Sequence, residues 1–210
     1  MASVVQICNM ALSHIGSEAR VASISPPDGS VEAGYCSTFY DQARTEMLEP
    51  GNWNFSLARV ALAQVTNAST RWTYAYALPS DCMRARRVLR PGHEITVFTQ
   101  DEAEYSADDN DSASFEVEGE VLYTNEPDAV FVYVRDVIDT NKFTPSFSTA
   151  LSYLLASYLA GPVIKGNEGT RIGDAMRDRA TTLASLSATA AANASSTSHD
   201  FMPSNLRARL

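Results

Sequence analysis

Two stretches, Arg44-Thr-Glu-Met-Leu-Glu-Pro-Gly-Asn-Trp-Asn-Phe-Ser-Leu-Ala-Arg59 and Trp72-Thr-Tyr-Ala-Tyr-Ala-Leu-Pro-Ser-Asp-Cys-Met-Arg84, mark the place where helix gives way to sheet. The first reads as the end of an amphipathic helix stopped by Pro50 and Gly51, with Trp53 and Phe55 able to plug the corner that follows. In the second, Trp72, Tyr74 and Tyr76 alternate at the period of a strand that Leu78-Pro79 ends, because proline cannot donate to a ladder; another strand resumes near Met83.

Working outward toward the N-terminus, Ser30 caps a predicted helix whose buried stripe is Cys36, Phe39, Tyr40, Ala43 and Met47. Ser3 caps an earlier one carrying Val4, Ile7, Cys8, Ala11, Leu12 and Ile15, with Gly16 placed to end it, and the two helices are expected to pair. Toward the C-terminus, short period-two runs predict a small antiparallel sheet or sandwich: Val60 and Leu62, Trp72 to Tyr76, Met83 to Leu89, Ile95 to Phe98, Phe115 to Tyr123 and Val130 to Val134. Helical periodicity returns after Thr144-Pro145, with Ala150, Leu151, Leu154, Leu155, Tyr158 and Leu159 on one face and a break expected at Gly161-Pro162. A last helix is predicted from about Thr170 to Ala191, decaying into an Ala/Ser/Thr-rich spacer before a tail of large apolar and basic residues. The fold class is therefore α+β. Residues 1–56 and 141–195 form a helical bundle, residues 57–140 an inserted antiparallel β subdomain, and residues 196–210 an extended tail.

Composition narrows the function. Of the 210 residues, 45% are hydrophobic and 20% charged, ordinary for a folded protein, and the net charge of −9 disfavours gripping nucleic acid through its phosphates. Cys8, Cys36 and Cys82 are odd in number and widely spaced, so neither a disulfide framework nor a zinc site is indicated, and no cofactor or metal is expected. The N-terminus lacks the basic region of a signal peptide, and the longest apolar run, Tyr153 to Ile164, is short of the ~20 residues of a membrane span.

Catalytic signatures are weak. His14, His93 and His199 lie in a helix, a turn and the tail, with no serine or cysteine triad pattern around them. Gly161 to Gly166 has phosphate-loop spacing, but Asn167 and Glu168 stand where Lys and Ser/Thr are needed. Neither frame starting at Asp108 or Asp109 supplies the alternation, glycine and distal glutamate of a calcium loop together, and the cluster reads as a solvated tip. The segment from Asp101 to Glu120 holds nine acidic residues and no Lys or Arg. Its natural counterpart is the run Arg84, Arg86, Arg87 and Arg90, in which Arg84, Arg86 and Arg90 would share one strand face.

The ordered set of Arg44, Trp53-Asn-Phe-Ser, Arg59 and Trp72-Thr-Tyr-Ala-Tyr-Ala-Leu-Pro-Ser-Asp-Cys resembles the tail tubular protein A family, the head-to-tail adaptors of short-tailed bacteriophages, also called tail accessory factors. The likeness extends to Leu12-Ser-His-Ile-Gly16 and to the helix from Phe147 to Ala160; it departs at Lys165-Gly-Asn-Glu, where the family carries an acidic residue. It implies a structural virion protein and not an enzyme. Such a protein is made in the bacterial cytoplasm, forms a ring, usually of twelve subunits, between the portal protein and the tail nozzle or other tail parts, and lines a channel through which DNA passes unbound. The tail residues Phe201, Met202, Leu206, Arg207, Arg209 and Leu210 are then expected to dock on the portal, and Arg84, Arg86 and Arg87 to meet Asp108, Asp109 and Asp111 of a neighbouring subunit. The competing readings are a neck or tail-completion protein at another position, and a small hydrolase.

Overall fold

The computed structural model describes residues 2–50, 53–89 and 112–194, with the side chains of residues 112 and 188–194 set aside. The chain is α+β: helices from both ends of the sequence enclose one apolar core, and two antiparallel sheets between them enclose a second.

Helix α1 (Val4–His14) starts at a reciprocal cap in which Ser3 Oγ accepts from Gln6 N and Gln6 Oε1 accepts from Ser3 N, satisfying two otherwise orphaned donors. Asn9 pins the following loop by bonding both the N–H and the carbonyl of Val21. Helix α2 (Val31–Leu48) is capped by Ser30, itself held by Asp28, whose carboxyl is pulled down to about 2 by bonds from Ser30 and Ala22. The expected pairing of these two helices is made by Cys8 and Cys36, whose buried thiols hydrogen-bond across it, but the larger contact of each is with a third helix. Each packs on α3 (Pro145–Ile164), because α3 is apolar around most of its circumference and buries Phe147, Leu151, Leu154, Leu155 and Leu159. By composition α3 could cross a membrane, but 56% of that stretch is buried inside the fold, as expected of a core helix.

The helix break expected at Gly161-Pro162 also moves. Pro162 lies inside the last turn of α3, where its missing N–H costs one bond, and the helix ends at Lys165 with φ 63°. Helix α4 (Gly166–Ala194) begins at once and returns along α3. The two approach closely because Gly169 and Gly173 face α3: a Cβ on Gly169 would stand 2.8 Å from the Ala160 carbonyl oxygen, and one on Gly173 3.0 Å from that of Ser157.

Strands β1 (Leu57–Ala61), β3 (Cys82–Leu89), β4 (Ser112–Ala113) and β7 (Val130–Arg135) form one sheet in the order β1-β7-β3-β4; β2 (Tyr74–Ala77), β5 (Phe115–Glu118) and β6 (Val121–Thr124) form another in the order β2-β6-β5. Tyr76, Leu122 and Phe115 of the small sheet share a core with Val88, Phe131 and Tyr133 of the large one. Two sequence readings need correction. The run from Phe115 to Tyr123 is a hairpin, since Gly119 at φ 59° turns the chain back between Glu118 and Val121. Trp72 precedes its strand, because Thr73 sends its N–H and hydroxyl to Asn125 Oδ1 instead of a ladder partner, and the Trp72 indole donates to Glu116. Ile95 to Phe98 lies outside the described residues.

Candidate functional site

The residues that mark the corner in the sequence divide between the helical core, which takes Trp53 and Phe55, and the ties from helix to sheet made by Arg44 and Arg84. Trp53 is buried with its indole N–H on the Met47 carbonyl at 2.9 Å, capping the end of α2, and it stands edge-on to Phe147 of α3 with ring centres 4.9 Å apart. Phe55 and Phe143 complete the aromatic cluster around Phe147. Beside it Arg44, 4% exposed, donates to both carboxylate oxygens of Asp136 and, at 3.0 Å, to the Val137 carbonyl, where the chain leaves β7 for α3. Burial opposes the charge on Arg44, but the bonds and charge of Asp136 outweigh it and hold the guanidinium pKa above its usual value. Arg84 makes the reverse connection from the sheet, reaching the Glu49 and Pro50 carbonyls at the C-terminus of α2, an end that favours a cation.

Strand β3 carries the basic run, but not on the face read from simple alternation. Register shifts between Cys82 and Arg84 and between Ala85 and Arg87 leave Arg86 as an extra residue; Arg84 pairs with Val134 and Arg87 with Val132, so these two share a face and Arg86 is displaced from it. Arg59 on β1 pairs with Val132 from the other side, which places Arg59 and Arg87 astride one buried valine. Burial, then the like charges of Arg59 and Arg86, push the Arg87 guanidinium pKa down. Arg90, Asp108, Asp109 and Asp111 lie outside the described residues, as do Phe201, Met202, Leu206, Arg207, Arg209 and Leu210 of the tail.

One pair resembles a nucleophile and its base: His14 Nε2 lies 3.0 Å from Ser152 Oγ. Ser152 is fully buried and also lies 2.7 Å from the Thr149 carbonyl, which competes with His14 for its one hydroxyl hydrogen. Among the described residues no carboxylate bonds His14; its ring stacks on Tyr153, and burial followed by the Arg179 charge lowers its pKa. No group of three or more His, Cys, Asp or Glu side chains is placed to hold a metal among the described residues. A groove of about 780 Å³ does open between α1 and the start of α3, lined by Gln6, Met10, Ser13, Arg20, Phe143 and Pro145 among others.

Sequence reading missed Asp136 and the cluster of Glu46, Tyr158 and Arg177 that ties α2, α3 and α4 together, with Arg177 at 2.6 Å from Glu46 and over the Tyr158 ring. The only local signal for the first was an arginine on the apolar stripe of a helix, which requires a partner when buried. A scan against protein-family models and a search of curated proteins both return no match.

Proposed function

We propose that the chain is a head-to-tail adaptor of a short-tailed bacteriophage, a structural protein that forms a ring, twelvefold by the resemblance, under the portal and carries the tail nozzle or other tail parts. The observation that supports this reading best is where the resembling residues lie: Arg44 and Arg84 tie α2 to the sheet and its exit, Trp53 and Phe55 pack in the helical core beside them, and Asp81 accepts from the Tyr133 hydroxyl at the edge of β3. Two of the shared residues, Arg44 and Arg84, thus help orient one half of the molecule on the other, as suits a ring subunit held at both ends. In this reading the helices from both chain ends form a bundle, the sheets are an insertion in it, and residues 196–210 extend as a tail to the portal. The face holding Arg59, Arg84 and Arg87 meets acidic residues of the next subunit, and a net charge of −9 per subunit gives a channel wall that repels DNA phosphates and lets them slide.

Native mass spectrometry of the chain mixed with a portal ring from the same phage tests the reading. Twelve copies per portal ring are expected, with attachment lost on deletion of residues 199–210 and the melting temperature of the free chain nearly unchanged. Failure of the intact chain to join the portal at micromolar concentration refutes the reading; attachment of the truncated chain with unchanged affinity moves the docking surface to the helices.

A further inference from the structure

The groove between α1 and α3 has apolar walls from Met10, Phe143 and Pro145, and a cation at one side, where Arg20 reaches Ser13 Oγ at 3.3 Å. Helices α1 and α3 run in the same direction, since His14 meets Ser152 and Tyr153 while Gln6 and Met10 line the groove with Pro145 and Ser148. Helix α4 runs opposite to them: Gly169 lies against Ala160, Gly173 against Ser157, and Arg179 over Tyr153. With 29 residues against 20, α4 overshoots the start of α3 by about nine residues, or roughly 13 Å at the rise of a helix. Its C-terminus therefore emerges at the end of the molecule where the groove opens. Six residues beyond Ala194 come Asp200, Phe201 and Met202, a carboxylate followed by two large apolar side chains. Six extended residues span up to about 20 Å, enough to recover the overshoot.

We propose that this groove is the docking site for residues Asp200–Met202 of the same chain, with Asp200 paired to Arg20 and Phe201 and Met202 against Met10, Phe143 and Pro145. The contact covers the apolar residues of the tail in the free subunit, and a partner that takes the tail must compete with the groove. It does not depend on that partner being a portal.

The test uses the full-length chain with Phe201 replaced by a benzophenone amino acid, irradiated and mapped by mass spectrometry, with a mixture of light and isotope-labelled chains separating self from neighbour. Crosslinks from position 201 to the peptides containing Met10 or Phe143 to Thr149 of the same chain are expected, and Met10→Glu or Arg20→Glu should reduce them at least fivefold while leaving the melting temperature within a degree or two. Crosslinks scattered over the surface, or unchanged in both variants, overturn the proposal. Crosslinks to the same groove of a differently labelled chain overturn the own-chain assignment and make the groove a contact between copies. Loss of portal binding without loss of these crosslinks, or the reverse, keeps this contact distinct from the adaptor reading.

Discussion

Removing the carboxylate of Asp136 should loosen the joint between the two halves of the protein. Arg44 is almost wholly buried, so in Asp136→Ala its charge keeps only the Val137 carbonyl at 3.0 Å and the exposed Asp41, 3.6 Å from Nε. Breaking a buried ion pair from one side costs ~3 to 5 kcal/mol, and the lower end applies because the Asp136 side chain is itself 32% exposed and its pair is partly solvated. For a chain of this length that corresponds to a fall of about 6 to 12 °C in melting temperature. Asp136→Asn keeps an oxygen acceptor and should cost about half as much. The double variant Arg44→Met/Asp136→Leu, which replaces the pair by apolar side chains of similar length, should recover most of the loss. Thermal unfolding followed by circular dichroism, with urea titrations completing the double-mutant cycle, measures all of these. A drop under about 2 °C for Asp136→Ala, or single-variant losses that simply add in the double variant, would refute the idea that this pair fastens the joint.

Trp53→Ala should cost ~3 to 5 kcal/mol, since it empties the space beside Phe147 and removes the donor from the Met47 carbonyl; a melting shift of a degree or two would show the indole to be dispensable. Glycine substitutions should divide by space: Gly34→Ala, which meets nothing within 4 Å near the start of α2, should stabilise the chain by up to ~1 kcal/mol, whereas Gly169→Ala drives a Cβ into the Ala160 carbonyl and should destabilise it by ~1 to 2 kcal/mol, both read from urea titrations. Because burial holds His14 below its ordinary pKa, the unfolded chain binds that proton first as pH falls. Its contribution to stability is complete above about pH 6.5 and is lost as pH drops from there toward the lowered folded value. Urea unfolding at pH 7.5 and 5.5 should show a smaller acid loss in His14→Gln than in the unsubstituted chain, and equal losses would discount this histidine.

Where structure depends on neighbours in the chain, the residues announced it. Ser3 with Gln6, Ser30 with Asp28 and Thr144 with Pro145 start α1, α2 and α3 at the positions their capping chemistry dictates, and the aromatic corner at Trp53 lies between helix and sheet as its spacing requires. The switch from a period of 3.6 to a period of two near Leu57, and back near Thr144, was enough to establish an α+β chain. Features set by distant partners were hidden. Alternation along β3 misplaced Arg86, because a bulge is decided by how Val132 and Val134 fit against the strand and not by the strand itself. Proline at position 162 does not end α3, which runs two residues further to Ile164 where Gly169 and Gly173 let the backbones of α3 and α4 meet. His14 found Ser152 across 138 residues and Arg44 found Asp136 across 92. Local pattern records only which side chains need burial or a partner; which ones they obtain is settled when the core closes, because only then does the loss of water make each pairing obligatory.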